Sequence, residues 1–481
     1  MNVLFVYSLQ DIQTPAKPLQ TLEQMQFGIS YISSYLKKHG HSTRLLILTR
    51  ETGNSVIDEY INDFQPGLIG FTAVATEYEF IVKIASYIKS HYPKIYLLIG
   101  GPHISLNPEA VISDAFDALC VGEGEWSTLK LVSQLERNIQ PSNIANFWIK
   151  DGYQIEKNPT QSFSQDIDSL PFPDREMWLN WIANPITNCS LLLGRGCPFK
   201  CTYCCNHALR KVSSGKYVRL REHDNILAEL EEIVDKFPTI KEVYFEVETF
   251  GANIEWSIEL CSKLRDFNTK MSRLLSYGVN LRITTNPRLE PLFDALNKSN
   301  FHFINIGLES GSEKIRRDIL KRNYSNEDVI QVVELARKYG LRISFFNLVG
   351  IPGETLDDFR ETIKVNRICL PDRNYLSIFF PYPGTDLHSY CKKQGLLKNS
   401  IDTTMERSKA TLDLPGFNKK LIEKCYIWFE YNVYKGYRPF YKIMAQVIVN
   451  KIHCDYHLHR FYRKLTNFVF FKRLKVLLQS F

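Results

Sequence analysis

The sequence, 481 residues long, contains no apolar run approaching the roughly 18 residues that a membrane-spanning helix needs. Met1–Tyr7 is too short an apolar run for a secretory h-region and has no basic lead, so no exported precursor is expected. No cysteine precedes Cys120, and no second C-x2-C pair exists to complete the two separated pairs that a structural zinc site usually uses. Acidic residues are nearly missing from the last fifty positions, where ten Lys/Arg stand against one Asp from Asn432 to Phe481. That tail carries a local +9 while the whole chain carries +7, so the remainder is close to neutral at −2. What is present is ordinary for a globular protein: 44% hydrophobic and 23% charged residues, in a chain long enough for two or three domains. Eleven cysteines with no leader argue for a reducing, cytoplasmic setting in which thiols stay available for metal.

The densest chemistry lies in Gly194-Arg195-Gly196-Cys197-Pro198-Phe199-Lys200-Cys201-Thr202-Tyr203-Cys204. Cys197, Cys201 and Cys204 stand at a C-x3-C-x2-C spacing with an aromatic before the third. Cysteine is the usual protein ligand of iron–sulfur clusters, and three thiolates would hold three irons of a cubane and leave the fourth open. Cys205 and His207 follow, so a crowded zinc knuckle is the competing reading. The motif resembles the signature of the radical S-adenosylmethionine (SAM) superfamily. That resemblance implies a [4Fe–4S] cluster whose open iron takes SAM's amino and carboxylate groups. Cys205, at the wrong spacing, is left unassigned.

Ahead of this loop, over residues 1–138, short apolar runs of strand type alternate with helical periodicity. Strands are expected at Met1–Tyr7, Leu45–Leu48, Leu68–Phe71, Ile95–Ile99 and Ala115–Val121, with helices near 23–39, 55–64, 78–91 and 125–135. This pattern predicts a doubly wound parallel sheet, flavodoxin-like, with ligands beyond the carboxyl ends of its strands. Small-residue segments lie there: Gly70–Val74, Gly100-Gly101-Pro102-His103 and Gly122-Glu123-Gly124-Glu125. Taken singly each reads as a turn; in this order they resemble the cobalamin-binding domain that precedes many radical SAM domains. The resemblance implies that Thr72, Gly100, Gly101, Gly122, Glu123 and Gly124 contact cobalamin. The Asp-x-His-x-x-Gly pattern that supplies a lower cobalt ligand is missing, and His103 is read as a loop residue.

Residues 139–187 have little apolar periodicity and are expected to be a linker, extended by Pro171 and Pro173 in the Leu-Pro-x-Pro-Asp segment. Residues 188–398 read as six strand–helix units, with strands at Cys189–Leu193, Glu242–Val247, Val279–Thr284, His302–Gly307, Arg342–Val349 and Tyr375–Phe380. Six units predict a partial (β/α)6 TIM-type barrel with its site at the carboxyl strand ends. Ser325–Asp328 is read as a capping box. Glu246 and Glu248 share a face by alternation and resemble the family's second-strand acidic segment. Arg282 alternates with Thr284, and Glu309 lies in Gly307-Leu308-Glu309-Ser310-Gly311, similar to the family's Gly-x-Glu-Ser-Gly turn. Glu246, Glu248, Arg282 and Glu309 are therefore the SAM-contact candidates; no single catalytic residue is readable. Gly350–Thr355 and Pro381–Thr385 also match the family in wording and order.

The basic, aromatic-rich segment 399–481 is expected to be a helical extension. It suits a lid over the barrel mouth or a helix lying on the inner face of an anionic membrane, with nucleic acid the weakest reading and no such partner expected. His453 and His457, at i and i+4, are more simply surface residues than metal ligands.

The resemblance covers roughly residues 1–395 and implies a cobalamin-dependent radical SAM enzyme, of the class B methyltransferase type. It would methylate an unactivated carbon of a small or lipid-like substrate, with a flavodoxin or ferredoxin as electron donor. A cyclase or oxidoreductase of the same family is the alternative outcome, and a non-catalytic cobalamin or iron–sulfur sensor the alternative of a different class. A methylthiotransferase would need an N-terminal cysteine set that this chain lacks.

Overall fold

Alternating strands and helices build two sheets in the computed structural model, which describes residues 1–9, 16–112, 115–284, 289–397, 403 and 405–466. The first sheet contains β1 (Asn2–Leu9), β2 (Ser42–Thr49), β3 (Leu68–Thr72), β4 (Tyr96–Gly100), β5 (Ala118–Cys120), β6 (Phe147–Asp151) and β7 (Gln154–Lys157) in the order β2-β1-β3-β4-β5-β6-β7. The first five strands pair in parallel, the flavodoxin-like order expected from the sequence. The helix expected over 78–91 is there, at Tyr78–His91.

The stretch expected to be a linker, 139–187, is not all connector. Its β6 and β7 form an antiparallel hairpin that extends the sheet from β5. The hairpin half-buries only one face, in the order buried, intermediate, buried along Phe147, Trp148 and Ile149, so its apolar signal is short.

The second sheet uses β8 (Asn188–Leu192), β11 (Glu242–Phe250), β12 (Ser276–Leu281), β13 (Phe301–Glu309), β14 (Arg342–Val349) and β15 (Arg373–Ile378), in the order β15-β14-β13-β12-β11-β8. A two-stranded ribbon, β9 (Gly194–Arg195) with β10 (Arg219–Leu220), stands apart from it. Six strands match the partial barrel expected. Two boundaries differ in ways that matter for the site: β11 runs on to Phe250, so Glu246 and Glu248 lie within it, and β12 stops at Leu281, so Arg282 and Thr284 belong to the loop that follows.

By compactness the chain falls into two units. One holds Met1–Pro198, Cys204–Glu246 and Pro383–Thr385; the other holds Phe199–Tyr203, Val247–Tyr382 and the chain from Asp386 on. In the second unit, helices start where caps are available. Ser325 and Thr355 each accept a hydrogen bond from the backbone N–H of the aspartate three residues on, Asp328 and Asp358, and those carboxylates accept in turn from the backbone N–H of Ser325 and Thr355.

The tail's first helix, Lys419–Tyr434, buries Ile422, Tyr426, Phe429 and Val433 in a core with Val349, Ile351, Phe359 and Phe417. Within the apolar cluster at Tyr426–Phe429, Tyr426 and Phe429 are thus core of this unit, while Trp428 is exposed. His453 meets the ring of His459, centroids 5.1 Å apart, instead of pairing with His457. No described helix is long and apolar enough to cross a membrane; the Phe468–Phe471 cluster lies outside the described residues.

Candidate active site

In the first unit, the loops after β3, β4 and β5 converge. The Ala73 N–H donates to Gly100 O at 3.0 Å, the His103 N–H to Ala73 O at 3.3 Å, and the Gly122 N–H to Ser105 Oγ at 3.0 Å. Gly101 has a φ of +103°, and a Cβ there would come within 2.7 Å of Thr72 Oγ1 and 2.8 Å of Ala73 O. The glycine is needed so that the two strand-end loops can touch. Gly100 lies against Cys120, and a Cβ on Gly124 would press on Ile32 and the Cys120 sulfur at 3.1 and 3.2 Å. The rim is left with small residues and backbone, a surface that fits a large planar group such as a corrin. His103 is half-buried, its ring tilted by 50° against Tyr78 with centroids 4.8 Å apart, and its imidazole is pushed down to about 4 by desolvation, which keeps it neutral.

Glu123 and Glu125 face the cysteine motif. Arg195, two residues before Cys197, donates to Glu123 Oε1 at 3.1 Å and Glu125 Oε1 at 2.5 Å. Arg219 donates to Glu123 Oε2 at 3.1 Å and to Ser164 O at 2.8 Å. Burial alone would raise the Glu123 carboxyl, but the two guanidiniums hold it below the usual range. Glu123, expected among the cobalamin contacts, therefore has both oxygens engaged with arginine. The glycines around Arg195 make the ribbon to β10 feasible: a Cβ on Gly194 would lie 2.4 Å from Arg219 O, and one on Gly196, at φ +84°, would lie 2.3 Å from Tyr217 O.

In the second unit, Arg282 donates to Cys201 Sγ at 2.8 Å and its guanidinium lies 3.7 Å over the Phe199 ring. Arg282, one of the SAM-contact candidates, is thus a neighbour of the central cysteine. Glu309 has φ +62°, in the left-handed region that glycine favours, at the end of β13. Its Oε1 accepts from Arg322 Nη1 at 3.2 Å. Arg322, fully enclosed, also donates to Tyr203 Oη at 2.9 Å and Gly307 O at 2.6 Å. Arg316 locks the same turn by donating to Ser310 O at 2.6 Å and Asn326 Oδ1 at 2.8 Å. Arg322 had no signal in the sequence; it is thirteen residues beyond Glu309 in a run that reads as a basic loop. Glu246 is half-buried and Glu248 exposed on β11.

Glu354, in Gly350–Thr355, accepts from the Gly350 and Ile351 N–H groups at 2.7 and 3.2 Å. Buried, and with Oε1 lacking a hydrogen-bond partner, its carboxyl is pushed up to about 8.

The residues suit the groups the motifs imply. Cys197, Cys201 and Cys204 are thiols on one loop, none in a disulfide, and a guanidinium on one sulfur suits a ligand that binds iron as a thiolate. Among the described residues, no three His, Cys, Asp or Glu side chains are grouped for a single metal ion. A four-iron cluster spreads its thiolates wider than one ion does, so this does not bear on the triad. An acid beside an arginine offers acceptor and donor atoms to polar groups such as the amino, carboxylate and hydroxyl groups of SAM.

Comparison with known proteins agrees. The model of the radical SAM superfamily matches residues 191–365 and that of the B12 binding domain residues 22–131. An uncharacterized methyltransferase of Pyrococcus horikoshii is 26% identical over 414 residues, 84% of this chain and 87% of that protein. The anaerobic magnesium-protoporphyrin IX monomethyl ester cyclase of Rubrivivax gelatinosus is 24% identical over 386 residues, 75% of this chain and 65% of that one. The cobalamin-dependent SAM radical enzyme OxsB, solved with aqua-cobalamin and SAM, superposes with a TM-score of 0.71 at 16% identity, covering 97% of this chain and 75% of that one, a likeness of fold. These two domains imply a [4Fe–4S] cluster, SAM and cobalamin as cofactors. The chain belongs to the radical SAM enzymes that carry a cobalamin-binding domain.

Proposed function

We propose that this protein is a cobalamin-dependent radical SAM methyltransferase acting on an unactivated carbon of a small molecule, with an external one-electron donor. When bound, the cluster and SAM supply a 5′-deoxyadenosyl radical and the corrin a methyl group. Cys197, Cys201 and Cys204 are assigned as the cluster ligands. Arg282 sets the charge beside the Cys201 sulfur, and its stacking on Phe199 holds the loop in shape. Glu309 and Arg322 are assigned to SAM's polar groups, with Tyr203 held against Arg322 so that loop and pair move as one. Arg195, gripped by Glu123 and Glu125, orients the start of the cysteine loop.

The observation that carries the reading is the Arg282–Cys201 contact, a cation placed on the middle sulfur of the C-x3-C-x2-C loop. Anaerobic reconstitution with iron and sulfide, followed by absorption and paramagnetic resonance, tests it. The expected result is a [4Fe–4S] signal and reductive release of 5′-deoxyadenosine; a Cys201→Ala chain that keeps a normal cluster would refute the ligand assignment. The similarity to a cyclase favours one second reading, ring formation without net methyl transfer. Methyl-labelled SAM separates the two: label in the product supports methylation, and product without label supports cyclisation.

A further inference from the structure

Inside the second unit, β14 and β15 present opposite faces of different character. On the helix side, Asn347, Asn374 and Asn366 form a closed amide ring: Asn347 Nδ2 donates to Asn374 Oδ1 at 2.6 Å, Asn374 Nδ2 to Asn366 Oδ1 at 2.8 Å, and Asn366 Nδ2 to Asn347 Oδ1 at 2.9 Å. Side chains alternate along a strand, so the neighbours Phe346 and Tyr375 point to the other side. They are register partners, and their rings stack with centroids 4.9 Å apart and planes inclined by 20°. Burying large aromatic rings is ordinarily favourable, yet these remain 41% and 44% exposed.

Their neighbours connect them to the site. Phe346 lies across from Gly307 on β13, and a Cβ on Gly307 would come within 2.4 Å of Glu309 Oε1. The Glu309 carboxylate thus hangs over the residue beside Phe346. Four residues before Gly307 on the same face, Phe303 lies on Gly278, where a Cβ would meet its ring at 2.0 Å. Around the pair the same face carries Asn305, Ser344 and Ser377, with Arg373 two residues before Tyr375 and Arg342 at the start of β14.

We infer that Phe346 and Tyr375 form a substrate subsite for a planar ring system, with the Glu309–Arg322 pair at its side. This rests on the reading of Glu309 and Arg322 as SAM contacts. A flat ring laid on the aromatic pair covers the exposed faces and leaves the polar pair to SAM, so a bond of the ring's edge or substituent lies beside the radical source. The amide ring behind the pair fixes both strands, which makes the platform rigid before anything binds.

The test titrates the reconstituted holoenzyme with 2-naphthol, followed by naphthol fluorescence, and measures displacement by decahydro-2-naphthol, the saturated analogue. Stacking predicts that Phe346→Leu weakens 2-naphthol binding about fivefold and that the saturated analogue competes poorly. Unchanged binding in Phe346→Leu, or equal competition by the saturated analogue, overturns the subsite. Should Phe346→Leu fail to fold, Tyr375→Leu on the edge strand reads the same loss. Release of 5′-deoxyadenosine by the wild-type enzyme is measured in parallel. If SAM is cleaved but the naphthol results fail, the subsite alone is wrong; if no SAM is cleaved, the functional reading fails whatever naphthol does.

Discussion

Two regions use buried glutamates in opposite ways. In the Gly122–Glu125 segment, arginines meet Glu123 and Glu125, and the Glu123 carboxyl is held below its usual range despite burial. In the Gly350–Thr355 turn, Glu354 is more fully enclosed and meets only backbone N–H groups, and its carboxyl is pushed up to about 8. Partner and depth of burial both differ: two guanidiniums outweigh the desolvation of Glu123, and two peptide N–H groups do not outweigh that of the deeper Glu354. The first region is a clamp that works at any ordinary pH. The second is a turn whose stability depends on pH. Glu309 adds a third arrangement, with Arg322 on its Oε1 and a backbone angle it would not choose freely.

The largest effect should come from breaking the clamp. Arg195→Ala leaves Glu123 with one arginine and Glu125 with none in a buried place, and should cost about 3–5 kcal/mol in denaturant unfolding. A loss under 1 kcal/mol would mean that the clamp is not the rigid element described. Glu354→Gln sharpens the contrast through pH. The folded carboxyl lies above the ordinary value of 4.5, so its contribution is fully present below about pH 4.5 and fades as pH rises through about 8. Between pH 5.5 and 8.5 the wild type should lose on the order of 3 kcal/mol relative to Glu354→Gln; parallel pH profiles would show that Glu354 stays ionised. Removing the cation from the cysteine loop is a smaller change. Arg282→Leu should move the cluster's midpoint potential more negative by about 60 mV, since the oxidised cluster loses less than the reduced one, as spectroelectrochemical titration would show. A positive shift would contradict the placement of the cation beside the sulfur. The smallest effect is expected of Tyr203→Phe, which deletes one acceptor of Arg322 and should weaken SAM binding by about 1 kcal/mol in calorimetry while leaving cluster content intact.

Elements with a strong period were readable in advance. Arg342–Val349 and Tyr78–His91 fall where their sequences put them, because each presents an apolar face of the right repeat over many residues. The capping box at Ser325 was legible because all its parts lie within four residues. The hairpin Phe147–Lys157 was not, since its strands are short and one face is polar. Strand ends were misplaced near the site, at Phe250 and Leu281. There backbone pairing continues or stops according to neighbouring strands, which the local pattern does not contain.

By itself the sequence determined the order of the two domains, the three-cysteine loop and the cofactor set these imply, because each depends on residues near one another in the chain. Only the tertiary structure decided the partners of the charges. Arg195 reaches Glu125 across 70 residues, Arg282 reaches Cys201 across 81, and Arg322 reaches Tyr203 across 119. Hydrogen bonds and ion pairs act over a few ångströms of space, and sequence separation says nothing about that distance until the sheets have formed.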